Sequence, residues 1–373
     1  MKLVAAADSF KGSLDARSAC EAIREGVLQA RPDWTVAVKP MADGGEGTAA
    51  AVMAALGGEW VPVRVTGPLE SMEVDAGYAW FPHHDRTALV EMAAANGLTL
   101  LPPARRNPLL TTTFGTGELI RAAAVQGARR ILLAVGGSAT VDGGAGAAAA
   151  LGWRFLDDAG QPVGPGGGEL ERIARILLPE RAGLPPVEVL CDVKNPLCGE
   201  RGAAHVFAPQ KGASREAVQR LERGLEHLAR LIETTLGKDL RDLPGGGAAG
   251  GLAAGAVAFM NATLTSGIER LIEVSGLEQD LRGADWVVTG EGCFDEPSLH
   301  GKVVSGVAVA ARRAGARVAV IAGQVRLSEA EWRSAGIETA TALTGPGVTT
   351  DEAVRRAQEL LREAARRWAA ARS

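Results

Sequence analysis

Short apolar runs alternate along much of the chain with longer segments in which apolar residues recur every three or four positions. The runs at 2–8 and 35–43 predict strands, whereas 16–30 and 45–58 have the period of helices. The alternation returns from residue 284, where the runs DWVVTG and RVAVIA again read as buried strands. Strands alternating with helices favour a parallel sheet covered by helices.

The middle of the chain has a different pattern. VPVRVTG, MEVDAGYAWF and TALVEMA predict consecutive strands with short turns, and 214–236 predicts a long amphipathic helix. We therefore expect an α/β protein of two domains. Residues 1–68 plus 284–373 would form a doubly wound, flavodoxin- or Rossmann-like parallel-sheet domain. Residues 69–283 would form an inserted α/β domain with a mixed sheet, and the active site would lie in the cleft between the two.

Composition narrows the class of protein. The 373 residues carry a net charge of −4, which argues against nucleic acid or an anionic membrane as partner. The start, MKLVAAADSFKGS, has too short an apolar run for a signal peptide, and no stretch is long enough to span a bilayer. We expect a cytoplasmic protein whose four cysteines are free thiols.

Acidic residues follow several of the predicted strands: Asp8, Asp43, Glu91, Asp192 and Glu291. Any one of them could be an ordinary helix N-cap. Together they point to a ligand site, because ligands of open α/β sheets bind at the carboxyl ends of the strands.

Glycine-rich loops recur near predicted helix starts, at 41–48, 114–118, 136–146, 244–251 and 289–292. Backbone N–H groups in such loops bind phosphate. Several of them in one chain suit a ligand with several phosphates, although GxxxxGK[ST] and the protein-kinase motifs are absent from the sequence. Two GxGxxG/A matches, at 144–149 and 245–250, keep an NAD-dependent oxidoreductase as an alternative.

Phosphoryl transfer needs positioned phosphates, cations against the developing charge, and a group that accepts the alcohol proton. Asp192 lies close to Lys194 and Asn195, and Lys11 follows Asp8 and Ser9 in the same way. Among the histidines, His300 is the best candidate for a phosphate contact. We predict that His83 and His84 lie in an exposed hairpin loop and that His205 lies on a strand.

Long ordered segments carry a resemblance to a known family. The segments include DSFKGSLDA (8–16), DGGEGT (43–48), TTTFGTGELI (111–120), GGSATVDGGAGAAAALG (136–152), CDVKNPLCGERGAAHVFAPQKGA (191–213) and TGEGCFDEPSLHGKVVSGVA (289–308). They resemble the bacterial glycerate kinases of the first type, over nearly the whole chain. The resemblance implies two α/β domains, ATP and Mg²⁺, and phosphorylation of D-glycerate to 2-phosphoglycerate.

The resemblance also implies roles for individual residues. Asp192 would be the general base, with Lys11, Asp8 and Asp295 as further catalytic residues, and Asp192 and Asp295 would hold Mg²⁺. The residues expected to bind the substrate are Ser9, Asp43, Gly44, Gly45, Asn195 and Lys302. The residues expected to bind the nucleotide and its phosphates are Gly115, Thr116, Gly136, Gly137, Ser138, Thr140, Lys211, Gly290, Glu291 and His300.

The chain departs from the family pattern at two places. Ala7 stands where a proline usually precedes the first aspartate. After TGEG, Cys293 and Pro297 stand where the family usually has Arg and Gln. Arg201 or Lys211 are conceivable replacements for the lost cation. This segment keeps two alternatives open, a kinase of another small hydroxy- or sugar acid and a non-catalytic hydroxy-acid sensor. We expect a monomer or a homodimer.

Overall fold

The structure is a computed structural model that describes residues 1–45, 47–180, 183–345 and 347–372. Its strands are β1 (Lys2–Ala5), β2 (Thr35–Val38), β3 (Glu59–Thr66), β4 (Glu73–Phe81), β5 (Thr87–Glu91), β6 (Arg130–Ala134), β7 (Arg154–Leu156), β8 (Arg175–Leu177), β9 (Val187–Leu190), β10 (Thr263–Thr265), β11 (Trp286–Thr289), β12 (Cys293–Phe294), β13 (Arg317–Ala322), β14 (Gln324–Val325) and β15 (Thr339–Ala342).

The helices are α1 (Ala16–Ala30), α2 (Thr48–Leu56), α3 (Met92–Asn96), α4 (Phe114–Val125), α5 (Ala145–Ala150), α6 (Ala203–Phe207), α7 (Arg215–Leu236), α8 (Leu252–Phe259), α9 (Gly267–Ser275), α10 (Leu277–Leu281), α11 (Val303–Ala314), α12 (Glu329–Ser334), α13 (Thr350–Arg355) and α14 (Ala357–Ala370). Among the described residues, none of these helices combines the length and apolar character that crossing a bilayer requires.

The chain folds into two compact units. Unit 1 comprises Met1–Asp43, Ala50–Gly57 and Ser266–Ser373, and unit 2 comprises Gly44–Ala49 and Gly58–Thr265. These limits differ from the predicted boundaries at 68 and 284. Strand β3 belongs to unit 2 because it pairs along its whole length with β4. Helices α9 and α10 belong to unit 1 because their apolar residues enter its core.

Unit 1 contains a five-stranded parallel sheet in the order β15-β13-β11-β1-β2. Successive residues of its central strands point to opposite faces, as the pleat requires. Val4, Val287 and Val320 pack into one apolar cluster with α9, α10 and α11. Leu3 and Val288 pack into another with α1 and α14. Both faces are therefore covered, which accounts for strands that are apolar throughout.

Unit 2 contains a six-stranded mixed sheet in the order β10-β9-β6-β5-β4-β3. Strands β5, β6, β9 and β10 are parallel, β4 is antiparallel to β5, and β3 is antiparallel to β4. The long helix α7 is capped at its start by Ser214, whose side chain accepts a hydrogen bond from Ala217 N, and at its end by Gly237, which is in the left-handed region. The predicted α/β fold, with one parallel and one mixed sheet, is confirmed.

One local prediction needs correction. His205 lies on the short helix α6 and not on a strand, and its side chain is exposed. The alternation of apolar residues around it was too short to separate the two periods.

The glycines of 245–251 are buried. A Cβ on Gly250 would lie 2.0 Å from the carbonyl oxygen of Thr140, so glycine here allows two backbones to touch.

Candidate active site

Three neighbouring strands of unit 1 are followed by acidic residues. Strand β1 lies between β2 and β11, and the strands are parallel. The backbone N–H of Asp8 donates to Gly290 O at 2.9 Å, so the pairing continues past β1 as far as the first acidic residue. Asp43 follows β2 and Glu291 follows β11. The three carboxylates therefore gather at one edge of the sheet, as their positions after predicted strands indicated.

A pocket of about 340 Å³ opens at this edge of unit 1. Seven of the residues predicted for the site line it: Asp8, Ser9, Lys11, Asp43, Glu291, Asp295 and Lys302. Four carboxylates and two ammonium groups thus surround a single cavity. Two more predicted residues of unit 1 do not line it. Gly290 is buried, and a Cβ there would lie 1.9 Å from Ile321 O, whereas His300 is exposed.

Burial and mutual repulsion raise the pKa values of two of these carboxylates. Burial, then the charges of Asp43 and Glu291, raise the pKa of Asp8 to about 7, against the opposing effects of the Ser9 N–H and Lys11. Burial also raises the pKa of Glu291. Glu291 is 8% exposed, and its Oε1 has no hydrogen-bond partner among the described residues. Such a buried oxygen is an unsatisfied acceptor inside the pocket.

The segment that departs from the family pattern forms one wall of this pocket. Strand β12 pairs in parallel with β14. Asp295 then caps the start of a short 3₁₀ turn. The Ser298 hydroxyl donates to Asp295 Oδ1 at 3.1 Å, and the Asp295 N–H donates to the Ser298 hydroxyl at 3.1 Å. Pro297 lies in the first turn of that 3₁₀ segment, where a missing N–H is harmless.

An arginine and a glutamine reach the same pocket from β14 and the residue after it. Arg326 and Gln324 both line the cavity, and the Arg326 guanidinium donates to Gln324 Oε1 at 2.9 Å. The structure therefore offers these two side chains in the region where the family's Arg and Gln are missing. The replacements suggested from sequence do not line this pocket, since Arg201 and Lys211 belong to unit 2.

In unit 2, the loop after β6 lies against the glycines that follow Asp43. Gly136 N donates to Gly44 O at 3.1 Å, and a Cβ on Gly136 would lie 2.5 Å from Gly45 Cα. Two groups of predicted residues, assigned to substrate and to phosphate, thus meet within this unit. Gly137 is exposed and in the left-handed region, with φ of 75°, so its N–H lies on an open backbone turn.

Lys211 holds this loop from inside. It is 2% exposed, and its ammonium donates to Ser138 Oγ at 2.6 Å and to Thr140 O at 2.7 Å. Burial lowers the pKa of Lys211 to about 7, with Asp142 opposing the shift. The ammonium is engaged with the loop itself. The structure thus supports a positioning role for Lys211, and its direct contact with phosphate stays a prediction.

Two of the predicted phosphate-binding positions are enclosed in unit 2. The N–H and the hydroxyl of Thr116 both donate to Asn96 Oδ1 at 2.7 Å, and Thr116 is fully buried. Gly115 is also buried, and a Cβ there would lie 1.9 Å from Thr66 O. The polar groups of Thr116 are thus used within the protein at the start of α4, and the contact of Gly115 and Thr116 with phosphate stays a prediction. Asn96, which the sequence analysis missed, is a buried organiser at the end of α3.

Asp142 is a second missed organiser. Its carboxylate accepts hydrogen bonds from Thr113 N at 2.8 Å, Thr113 Oγ1 at 2.9 Å, Gly144 N at 3.1 Å and Gly146 N at 3.2 Å. Burial raises the pKa of Asp142, while these donors oppose the shift. The side chain thereby ties together the starts of α4 and α5, both of which follow glycine-rich or threonine-rich segments.

The segment after β9 presents the remaining predicted residues. Asp192 is partly buried and Lys194 is exposed. The side-chain amide of Asn195 donates to Arg201 O at 2.8 Å, and the backbone carbonyl of Asn195 accepts from Gly247 N at 3.0 Å. Both the side chain and the backbone of Asn195 therefore fix this loop. Asp192 lies in unit 2, whereas Asp8 and Asp295 lie in unit 1.

Unit 2 has a pocket of its own, of about 390 Å³, that sequence reasoning did not find. Its walls are mainly apolar and come from Phe114, Ala145, Ala149, Phe155, Val163, Leu170 and Ile173, with Thr66, Thr112, Glu70 and Glu169 adding polar groups. Phe114, Ala145 and Ala149 belong to the segments 111–120 and 136–152 quoted above, whereas Phe155, Val163, Leu170 and Ile173 lie outside them. An apolar cavity with a few polar groups is typical of sites for small organic ligands.

No set of three or more His, Cys, Asp or Glu side chains among the described residues is arranged to hold a metal ion. Mg²⁺ in phosphoryl-transfer sites commonly takes only one or two protein carboxylates, the rest being water and phosphate. The four cysteines are free thiols, as predicted. His83 and His84 lie in the exposed turn between β4 and β5, also as predicted.

A profile of the glycerate kinase family matches residues 3–373. The chain belongs to the glycerate kinase family. Glycerate 2-kinase of Escherichia coli K12 is 43% identical over 377 residues, covering 99% of this chain and 97% of that protein. Glycerate kinase of Halalkalibacterium halodurans is 43% identical over 368 residues, covering 98% and 96%. The crystal structure of a protein assigned as glycerate kinase 2 from Salmonella typhimurium LT2 matches with a TM-score of 0.86 at 44% identity, covering 100% and 98%.

These similarities confirm the resemblance drawn from the sequence motifs. They also confirm the predicted enzyme class, a phosphotransferase that acts on an alcohol group. Glycerate kinase relatives match over nearly the whole chain, so both units belong to the shared architecture.

Proposed function

We propose that this protein transfers the γ-phosphoryl group of ATP to the 2-hydroxyl of D-glycerate, giving 2-phosphoglycerate and ADP. The observation that carries the proposal is the pocket of unit 1, in a chain that belongs to the glycerate kinase family. It combines cations that suit a small carboxylic acid with carboxylates that suit proton transfer. We further propose a cytoplasmic enzyme that works as a monomer or a homodimer.

The substrate carboxylate has three candidate partners in that pocket, Lys11, Lys302 and Arg326. A guanidinium can bind a carboxylate through two parallel hydrogen bonds, whereas an ammonium acts as a compact point charge. We propose that Arg326, with Gln324 beside it, takes the part that Cys293 and Pro297 no longer offer. A three-carbon acid would thereby be held with its hydroxyl groups toward the acidic side of the pocket.

For the nucleotide, we propose the loops and the apolar pocket of unit 2. The backbone of Gly136 and Gly137 lies at the turn that Lys211 holds, which suits a phosphate chain. The apolar pocket has two aromatic walls, Phe114 and Phe155, which suit a planar base. Mg²⁺ would travel with the phosphates of ATP and neutralise their charge, with Asp192 and Asp295 as its predicted protein ligands.

The test is incubation of the purified protein with MgATP and D-glycerate. ADP release is followed by a coupled assay, and the product is identified by phosphorus NMR. 2-Phosphoglycerate would support the proposal, and 3-phosphoglycerate would move the reaction to the other hydroxyl. ADP release with a different short hydroxy- or sugar acid only would reassign the acceptor. Binding of ATP and glycerate without turnover would favour a sensor, and NADH binding without phosphoryl transfer would favour an oxidoreductase.

A further inference from the structure

The acidic edge of unit 1 has an arrangement that the proposed reaction does not yet explain. Asp8 stands between the other two carboxylates, because β1 lies between β2 and β11 in the sheet. Its backbone is fixed by the hydrogen bond to Gly290 O, and its Oδ1 accepts from Ser9 N at 2.6 Å. The carboxylate is thus held at the centre of the pocket edge, with acidic residues on both sides.

The groups around Asp8 come from each of the neighbouring elements. Asp43 follows β2, Glu291 follows β11, and Lys11 comes from the same loop as Asp8. On the side of α1, the Cys20 thiol is buried and accepts from Ala7 N at 3.2 Å, with its pKa raised to about 12 by burial. Cys20 therefore stays neutral, and the field at Asp8 is set by two negative groups and one positive group.

Glu291 has an unusual position for an acidic residue. It is almost fully buried, lines the pocket, and has one carboxylate oxygen without a hydrogen-bond partner among the described residues. An unpaired buried acceptor destabilises the fold, so its presence in a native protein calls for an explanation, such as a role in the active site. The charge of Glu291 contributes to raising the pKa of Asp8. Glu291 in turn is subject to the charges of Asp295 and Lys302.

We propose that Asp8, at the centre of this acidic edge and in the same pocket as Lys11 and Lys302, accepts the hydroxyl proton of the acceptor, and that Glu291, at the end of the neighbouring strand, is a positioning residue for it. This inference rests on the proposed function and deepens it. The resemblance gives the role of general base to Asp192. The proposal gives it to Asp8, which lines the same pocket as the cations proposed for the substrate carboxylate.

The chemical step balances without any further reactant. The acceptor oxygen forms the new bond to the γ-phosphorus, and the bond from that phosphorus to the bridging oxygen breaks, its electron pair leaving with ADP. The hydroxyl proton passes to the Asp8 carboxylate and later to solvent. A base works best when its pKa is near the working pH, and burial, with the charges of Asp43 and Glu291 adding to it, raises the pKa of Asp8 to about 7.

The experiment measures kcat/KM for D-glycerate against pH, at saturating MgATP, for the full chain and four variants. The variants are Asp8→Asn, Glu291→Gln, Asp192→Asn and, as a matched control, Asp285→Asn. Asp285 is an exposed aspartate at the opposite, amino-terminal edge of the same sheet. Binding of glycerate to each variant is measured by calorimetry, which separates loss of turnover from loss of substrate.

We expect Asp8→Asn to lower kcat by roughly 10²- to 10⁴-fold while glycerate still binds, the usual range for loss of a general base. The wild-type acid limb should fall below about pH 7. In Glu291→Gln the limb should move to lower pH, because one negative neighbour of Asp8 is gone. A merely structural role for Glu291 would lower activity at every pH without moving the limb. Asp285→Asn should behave like the wild type.

Other outcomes would overturn the inference. Asp8→Asn retaining more than a tenth of wild-type kcat would exclude Asp8 as the base. An acid limb that does not move in Glu291→Gln would refute the role given to Glu291, and this variant remains informative if Asp8→Asn fails to fold. Loss of turnover in Asp192→Asn with activity kept in Asp8→Asn would return the role to Asp192. Absence of product with the wild-type protein would instead refute the proposed function itself.

Discussion

Replacing Lys211 by methionine tests whether the loop 138–140 is held by an ammonium that burial makes easy to deprotonate. The side chain is 2% exposed, and burial lowers its pKa from 10.5 to about 7. At about 1.4 kcal/mol per pKa unit, this difference corresponds to roughly 5 kcal/mol at most. Methionine has a similar length and no charge, so it removes the titrating group while largely filling the space.

The sign of the effect follows from proton binding. The pKa is lower in the folded protein than in the unfolded chain, so between pH 7 and 10.5 the unfolded chain binds the extra proton. The contribution of Lys211 to stability therefore rises with pH through this window. Between pH 7.5 and 9.5 we expect the free energy of unfolding of the wild type to gain about 2.5 kcal/mol relative to Lys211→Met.

Two assays check this. Denaturant unfolding at the two pH values, followed by fluorescence and circular dichroism, gives the difference between wild type and variant. Lysine labelled with ¹³C at Cε gives seven resonances, one for each lysine, and the resonance missing from Lys211→Met should titrate near pH 7. Lys238→Met is a matched control, since it also removes an ammonium that donates to a carbonyl, Val257 O at 2.8 Å, but on a less buried side chain.

A stability difference that stays constant with pH, together with a Lys211 resonance that titrates near 10, would refute the reasoning. It would mean that the ammonium is stabilised by its two acceptors as strongly as by water. In that case the loop would be held by an ordinary charged lysine, and its hydrogen bonds to Ser138 and Thr140 would outweigh the burial of the charge.

Three further predictions follow from positions described above. Arg326→Ala should raise KM for glycerate roughly 10- to 100-fold while KM for ATP is kept, as loss of a charged hydrogen bond implies; an unchanged KM would remove Arg326 from the substrate site. Phe114→Ala should raise KM for ATP roughly tenfold and spare that for glycerate; the reverse pattern would contradict the nucleotide pocket. Gly290→Ala should lower the free energy of unfolding by more than about 2 kcal/mol, since its Cβ would lie 1.9 Å from Ile321 O. Urea unfolding measures this loss of stability. In the same measurement Gly345→Ala should be nearly neutral, because a Cβ at Gly345 has no atom within 4 Å.

The sequence predicted the acidic edge of unit 1 because parallel strands bring their carboxyl ends together. Asp8, Asp43 and Glu291 could be named from their positions after apolar runs alone. The same logic could not locate the apolar pocket of unit 2, since much of its wall comes from residues such as Phe155 and Ile173, which lie outside every segment that the sequence analysis singled out. Neighbourhood in space, without a motif, leaves no trace in a single sequence.

The burial of individual polar side chains was the other property that the sequence pattern did not predict. Lys211 and Thr116 both stand in glycine-containing segments typical of phosphate loops, yet both are buried and engaged with the protein. Asn96 and Asp142 gave the opposite error. The pattern singles out neither side chain, although Asp142 lies in the glycine-rich loop 136–146. Asn96 Oδ1 accepts from the N–H and the hydroxyl of Thr116, and the Asp142 carboxylate accepts from three backbone N–H groups. Whether a polar residue faces a ligand or its own chain depends on packing at long range.

The composition of unit 1 from both ends of the chain bears on how the protein is made. Strand β1 needs β11 beside it, and the hydrogen bond from Lys2 N to Asp285 Oδ2 joins positions 283 residues apart. A ribosome adding about 5–20 residues per second needs roughly 15 to 60 s to cover that distance. During this interval the emerging amino-terminal strand has no partner on that side, while nearly all of unit 2 is already synthesised. Unit 2 can therefore fold before unit 1 is completely synthesised. The apolar segment of β1 stays unpaired for the longest time and is the segment most available to chaperones during synthesis.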